Sequence, residues 1–253
     1  LVAASDDVAG SIEVSPPGDI DVDALVHRID VSGHTVEDSR DAATHALDAA
    51  LGRLAPGDGV MLQFVWLDFG PDRTGRLVFV AHHFVVDGVS WRILVPDLVV
   101  AWNQVQAATV PTLPPVTTSV RAWAHAATEE ARSDARTAEL PMWEHILSGP
   151  DPDIGHRPLD PRIDVASTVR QVTVSVPVDV TTALTTTVPE RFRTGVNDGL
   201  LTALALAVSV WRRKNGDRGG STLVQLEGHG REQDIVNADL SRTVGWFTSI
   251  VPV

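Results

Sequence analysis

The chain of 253 residues contains no cysteine, which excludes disulfide bonds, thiolate catalysis and cysteine-ligated zinc. The same absence fits a cytoplasmic protein. No apolar run reaches the roughly 18 residues of a membrane-spanning helix, because the longest run, residues 200–211, is interrupted by Thr202 and Ser209. The first residues lack the basic region of a signal peptide, and we expect the interior of a longer polypeptide, cut at both ends.

Positive charge is scarce. The chain has 20 Lys and Arg against 33 Asp and Glu, which gives a formal net charge of −13. Because an acidic surface repels phosphate backbones, we do not expect nucleic acid as a partner. With 43% hydrophobic residues, the chain is long enough for one large domain or two small ones.

Hydrophobic spacing predicts a mixed α/β chain in two parts. A proline-rich stretch over residues 149–162 is the best domain boundary. Residues 5–35 are predicted to be loop or weak strand. The remaining predictions are a helix over 36–54, a hairpin of strands 60–68 and 76–81, an alternating strand over 172–178, a short helix over 181–188, a helix over 196–213, a strand over 221–227 and an extended end over 243–253.

Two regions between these elements carry prolines. Ser90 is predicted to cap a helix that Pro96 kinks or delays. Thr118 or Ser119 is predicted to cap a helix that runs to about residue 138, and Pro141 is predicted to begin another short helix.

The first chemically informative motif is His82-His83-Phe84-Val85-Val86-Asp87-Gly88. Histidine is the side chain whose unperturbed pKa lies near neutrality, so a His fixed at a strand exit suits proton transfer. Alternatively, His82 is a packed strand residue and Asp87 only caps a turn. Adjacent strand residues point to opposite faces, which disfavours a metal site. Gly88 favours a tight turn beside a ligand or another backbone segment.

The second motif is Glu227-Gly228-His229-Gly230-Arg231-Glu232. Glu227 ends a predicted strand, where partial burial would raise the pKa of its carboxyl group. A solvated loop of mixed charge is the alternative. The third motif is Ser241-Arg242-Thr243-Val244-Gly245-Trp246-Phe247-Thr248, which also reads as a buried aromatic strand with an Arg at its entrance.

Together these motifs resemble the condensation-type domains of nonribosomal peptide synthetases, within the chloramphenicol-acetyltransferase-like superfamily. His82-His83-x-x-x-Asp87-Gly88-x-Ser90 is similar to the core motif of that family. The extension through Trp91, together with the second and third motifs, resembles the epimerization branch. The order of the motifs, with His83 and Glu227 about 144 residues apart, strengthens the resemblance, which covers residues 55–253 well and 1–54 loosely.

The resemblance implies a fold of the α/β class (an α+β two-layer sandwich), with two chloramphenicol-acetyltransferase-like lobes in a V. Residues 1–150 would form the N-terminal lobe without its start. Residues 151–165 would be a linker, and 166–253 an incomplete C-terminal lobe.

The resemblance also implies a function. An epimerization domain removes the α-proton of an aminoacyl or peptidyl thioester and returns it to the other face. It needs a base, an acid and help for the enolate oxygen. The catalytic residues would be His83 and Glu227. Supporting residues would be His82, Asp87, Gly88, Ser90, His229, Arg231, Glu232, Arg242 and Trp246. Asp87 would pair with an Arg, Arg242 being preferred over Arg231.

No metal and no bound cofactor is implied. A phosphopantetheine arm would arrive covalently on a peptidyl carrier domain, and neighbouring synthetase domains would be further partners. Val251 stands where the epimerization pattern has Tyr, and Pro96 interrupts its Leu-Leu-Glu-Asp-Leu helix. The alternatives are a condensation domain that forms peptide bonds, an inactive domain that docks a carrier, and, more remotely, a small-molecule acetyltransferase.

Overall fold

The computed structural model describes residues 2–4, 11–16, 18–149, 154–155, 157–216 and 221–253. Their contacts divide the chain into two compact units. The first is Leu1–Ser133 with Gly228–Ser249, and the second is Asp134–Glu227 with Ile250–Val253. The second and third motifs therefore lie mostly in the first unit. The lobe boundaries inferred from the sequence stay a prediction, and residues 151–153 and 156 of the expected linker lie outside the described residues.

The elements confirm the mixed α/β class. The strands are β1 (Val2–Ala4), β2 (Ser11–Glu13), β3 (Val26–Asp30), β4 (Leu62–Asp68), β5 (Arg76–Ala81), β6 (Gln225–Gly228) and β7 (Ser249–Pro252). The α-helices are α1 (Val36–Gly52), α2 (Gly88–Gln106), α3 (Val120–Glu130), α4 (Asp134–Leu147), α5 (Val178–Thr182), α6 (Val188–Phe192), α7 (Val196–Lys214) and α8 (Gln233–Val236).

The first unit is built on the sheet β3-β4-β5. β3 runs parallel to β4, and β4 pairs with β5 as the antiparallel hairpin expected from the sequence. Alternate residues of β4 are buried, as expected for a strand with one covered face. Helix α1 begins with a capping box between Thr35 and Asp38, and its Ala46 and Ala50 join Val65 in the core. This packing fixes the exit of β5.

The prolines of the first long helices after the hairpin neither delay nor begin a helix. Helix α2 begins at Gly88, with Asp87 and not Ser90 as its N-cap, and continues through Pro96. Pro96 lies on the exposed side, where the carbonyl that it leaves unpaired can bind water. Ser119 caps α3 as expected, but α3 ends at Glu130, and Pro141 lies inside α4 rather than beginning a helix.

The second unit contains the predicted long helix, α7. The predicted short helix is part of a longer helical stretch, in which the π-helical turn Ala183–Thr187 joins α5 to α6. The alternating valines of 172–178 form no strand. Their side chains are exposed and no partner strand accompanies them among the described residues, so the alternation has no sheet face to bury. β6 pairs with β7, and Val224 and Val253 exchange two further backbone hydrogen bonds.

Within the described part of the chain, no single helix is long and apolar enough to cross a membrane. The stretch Val178–Phe192 and the helix Val196–Lys214 meet that length and composition only when they are taken together, across a bend of 104°.

Candidate active site

The two adjacent histidines at the exit of the hairpin differ in exposure. The His82 N–H donates to the Met61 carbonyl at 2.8 Å, which extends the ladder by one residue, and Val85 N–H then closes a turn onto the His82 carbonyl at 3.0 Å. His82 is half-buried, and its Nδ1 accepts from the Phe84 N–H at 3.2 Å. His83 is exposed. The hairpin therefore presents one imidazole to solvent and holds the other in the turn.

Asp87 ends this turn and caps α2 from a buried position. Its Oδ1 accepts from the backbone N–H of Ser90 at 2.7 Å and from the Ser90 hydroxyl at 2.8 Å. A capping carboxylate at a helix N-terminus is stabilised by the helix dipole as well as by these donors. Asp87 thus fixes the angle between the histidine turn and the helix.

The partner of Asp87 is Arg231, and the preference for Arg242 was wrong. The Arg231 Nη2 lies 3.0 Å from Asp87 Oδ1, and the two side chains are 4% and 2% exposed. Nη1 of Arg231 donates to the carbonyls of Leu240 at 3.2 Å and Thr243 at 2.6 Å. A guanidinium fork can serve a carboxylate and two carbonyls at once.

Arg242 has a different role. Its Nη2 lies 2.6 Å from Asp97 Oδ2, in the middle of α2, and its Nε donates to the Pro114 carbonyl at 3.3 Å. Because the Arg242 guanidinium already bonds to Asp97 and to the Pro114 carbonyl, it is not the partner of Asp87. Arg242 ties its segment to the helix, away from the helix N-terminus.

Two opposing effects act on the pKa of Asp87. Burial is the largest effect and raises the pKa. The hydrogen bonds from Ser90, the hydrogen bond from Arg231 and the positive charge of its guanidinium together outweigh burial, so the pKa lies below its ordinary value. The carboxylate is therefore held ionised as part of the scaffold and is not suited to proton exchange near neutrality.

The third motif is bound to the same cluster through its backbone. The Ser90 Oγ accepts from the Gly245 N–H at 3.1 Å and lies 3.0 Å from the Gly245 carbonyl oxygen. The Phe247 N–H donates to Asp87 Oδ2 at 3.3 Å, and the Arg231 guanidinium lies 4.1 Å from the centre of the Phe247 ring. Trp246, between these two fixed residues, remains 48% exposed.

Trp246 brings the third motif against the first. Its ring meets the His83 ring edge-on, with centroids 5.3 Å apart, and stacks on Phe84 at 6.0 Å. The sequence reasoning gave Phe84 no role, although an aromatic residue directly after the motif histidines was the available signal. The three rings form the exposed surface of the histidine turn.

The glycines of the motifs differ in what they do. Gly230 has φ of +63°, and a Cβ there would lie 1.6 Å from the Phe247 carbonyl oxygen. The backbone at this point therefore requires glycine. A Cβ on Gly88 would meet no atom within 4 Å, so the predicted close approach of another backbone segment is absent and the space beside α2's first residue is open.

The second motif spans both units. Glu227 lies on β6 in the second unit with its side chain exposed, so the expected partial burial was wrong; the strand is short and this end of it is uncovered. His229 is exposed in the first unit, and its Nδ1 accepts from the Arg231 N–H at 3.0 Å. Glu232 is exposed as well. Among the described residues, no group of three or more His, Asp or Glu side chains could hold a metal ion.

Comparison with known sequences gives a consistent set of relatives. The profile of the condensation-domain family matches residues 57–253. A linear gramicidin synthase protein of Brevibacillus parabrevis is 43% identical over 199 residues, which are 78% of this chain and 4% of that protein. Chondramide synthase cmdD of Chondromyces crocatus is 40% identical over 233 residues, 89% of this chain and 6% of that protein. The chain thus spans a small fraction of these relatives.

Solved structures agree with this fold. The epimerization domain from the third module of tyrocidine synthetase B has a TM-score of 0.69 and 29% identity, and the match covers 90% of this chain and 50% of that one. The nonribosomal peptide synthetase condensation enzyme VibH has a TM-score of 0.62 at 15% identity, over 90% of this chain and 50% of that one. The second likeness is one of fold alone.

Proposed function

This chain belongs to the condensation-domain family, and from that premise we propose that it epimerizes the Cα of an aminoacyl or peptidyl thioester from L to D. The substrate is held on a peptidyl carrier domain of a nonribosomal peptide synthetase. One observation carries the proposal. The segment 228–249, whose motifs resemble the epimerization branch, is hydrogen-bonded through Arg231, Gly245 and Phe247 to the cluster behind His83. The likeness to an epimerization domain supports the same branch.

The reaction needs a base and an acid on opposite faces of Cα. A thioester acidifies the α-proton, and deprotonation places negative charge on the thioester oxygen. In the proposal, His83 and Glu227 share the proton transfers: one removes the α-proton to give the enolate, and the other delivers a proton to the opposite face of the same carbon. No net proton is gained or lost. Both side chains are exposed and so accessible to a substrate.

The buried residues have a supporting role in this scheme. Asp87, Ser90 and Arg231 hold one another in the interior, so they keep the His83 turn in place without handling the proton. His82 is held in the turn by the Phe84 N–H. The fixed geometry serves the reaction because small displacements of a general base cost large factors in rate.

The substrate arrives from outside this chain. We propose that the thioester reaches His83 while it is covalently attached to the phosphopantetheine arm of a carrier domain. The reaction would take place in the cytoplasm, beside the neighbouring domains of the same synthetase. The space beside Gly88 is consistent with such an approach, since a Cβ there would meet no atom within 4 Å.

The test is exchange of the α-proton in heavy water. The protein, in the full-length synthetase module that contains it, receives an aminoacyl or dipeptidyl thioester on its carrier domain, and deuterium at Cα and the D/L ratio are followed. We expect exchange with inversion, reduced at least about 100-fold by His83→Ala or Glu227→Gln. The matched controls are His45→Ala and Glu190→Gln, both exposed, one in each unit.

Each outcome decides between the candidate functions. Exchange that is lost in both site variants and retained in both controls supports the proposal. Peptide-bond formation without exchange would overturn it in favour of a condensation domain. Carrier binding with neither reaction would overturn it in favour of an inactive docking domain, the outcome to which Val251 in place of the usual Tyr points.

A further inference from the structure

The His83 imidazole is exposed but has one defined neighbour from a distant part of the chain. Among the described residues no hydrogen bond holds its ring, and Trp246 is the aromatic side chain that contacts it, at 5.3 Å between centroids and 62° between planes. This is an edge-to-face arrangement, which aromatic pairs favour over a face-to-face sandwich. The orientation of the His83 ring therefore depends on Trp246.

Trp246 is exposed, but its backbone and its ring are restrained by several contacts. The residue before it, Gly245, donates its N–H to the buried Ser90 hydroxyl oxygen at 3.1 Å. The residue after it, Phe247, donates its N–H to Asp87. The indole is then stacked on Phe84, with planes inclined by 15°. The backbone on both sides and the ring face are all restrained.

We propose that Trp246 is a positioning residue that orients the His83 imidazole for proton transfer at Cα; this rests on the proposed function of His83. The buried cluster of Asp87, Ser90 and Arg231 sets the backbone on either side of Trp246, and Trp246 transmits that placement to the imidazole. A contact of this kind favours one ring orientation by about tenfold, and loss of orientation at a general base adds a further factor.

The first experiment measures α-proton exchange in the full-length module. We expect Trp246→Leu to lower kcat about 10–100-fold with KM changed less than about threefold, because the ring orients a catalytic group and does not hold the substrate. Trp246→Phe, which retains an aromatic edge, should recover most of the rate. The matched control is Trp102→Leu, also an exposed tryptophan of the first unit, at 57% exposure, which should leave both constants unchanged.

A double-mutant cycle separates positioning from a general loss of structure. In the His83→Ala background, Trp246→Leu should have no further effect on the residual exchange, since its effect passes through the imidazole. Equal losses in the presence and absence of His83 would overturn the proposal. So would a rise in KM with kcat unchanged, or a Phe variant that is as slow as the Leu variant.

A spectroscopic measurement tests the contact even if the parent chain shows no exchange. The imidazole Cε1–H signal of His83, assigned by its loss in His83→Ala, should shift by ring-current change in Trp246→Leu and stay in place in Trp102→Leu. An unchanged signal in Trp246→Leu overturns the contact. Absence of exchange in the parent chain together with a shifted signal overturns the proposed function and, with it, the positioning role of Trp246 in that reaction, while the contact stands.

Discussion

Removal of the Arg231 guanidinium is expected to destabilise the first unit by about 3–5 kcal/mol, because the Asp87 carboxylate then stays buried without its cation. The two side chains are 4% and 2% exposed, so water cannot replace the lost partner without an opening of the cluster. Arg231→Met is the suitable change, since it retains much of the length of the side chain. It also leaves the carbonyls of Leu240 and Thr243 without the donor that now reaches both.

The assay is urea unfolding at pH 7, followed by tryptophan fluorescence and circular dichroism. Arg231→Lys should be intermediate, because an ammonium keeps the charge but not the fork. Arg231→Met combined with Asp87→Asn should cost less than the sum of the single changes, since no buried charge remains. The control is Arg242→Met, whose pair with Asp97 is 26% and 22% exposed and should contribute about 1 kcal/mol or less. A loss of less than about 1 kcal/mol in Arg231→Met would refute the reasoning.

Two further predictions concern the same cluster. Gly230→Ala should lower the free energy of unfolding in urea by more than about 2 kcal/mol, because Gly230 has a positive φ and a Cβ there would clash with the Phe247 carbonyl oxygen. Gly88→Ala should leave that free energy unchanged or raise it slightly, and equal effects of the two changes would contradict the glycine geometry. The stability that Asp87 contributes should be fully present above its unfolded pKa of about 3.9 and be lost as pH falls through its lower folded pKa. The difference in unfolding free energy between the parent chain and Asp87→Asn should therefore be constant above about pH 5 and shrink below about pH 4, and a difference independent of pH would count against the ion pair.

The parts of the fold that follow from local pattern were predictable. Helix α1 has an amphipathic spacing and a capping box, and the β4–β5 hairpin has a nearly all-apolar strand followed by a Gly-Pro turn. Each is determined by residues that are neighbours in sequence. Residues 172–178 show why other parts of the fold could not be predicted from the sequence. Alternating valines suit a strand, but a strand also requires a partner and a covered face, and neither property is local.

The same distinction between local and non-local properties applies to the candidate site. The motifs indicated which residue types to expect, and the structure brings Asp87, Arg231 and Trp246 into one unit with His83. The choice of Arg242 as the partner of Asp87 failed because spacing in sequence does not reveal which of two arginines faces a helix N-terminus. The expectation of a partly buried Glu227 failed because burial depends on what covers a strand end.

The buried ion pair has a consequence for function that stability alone does not explain. A buried pair is often no more stabilising than well-packed apolar residues, because desolvation of both charges offsets their attraction. Asp87 and Arg231 add directional contacts, since the carboxylate accepts from donors at particular positions. These are the N–H and hydroxyl of Ser90, the Arg231 guanidinium and the Phe247 N–H. We interpret the cluster as the device that fixes the register of segment 228–249 against α2. An apolar replacement such as Asp87→Leu with Arg231→Met tests this interpretation. It should recover much of the stability that Arg231→Met alone loses, while the proposed exchange at Cα stays low, and full recovery of both would contradict the interpretation.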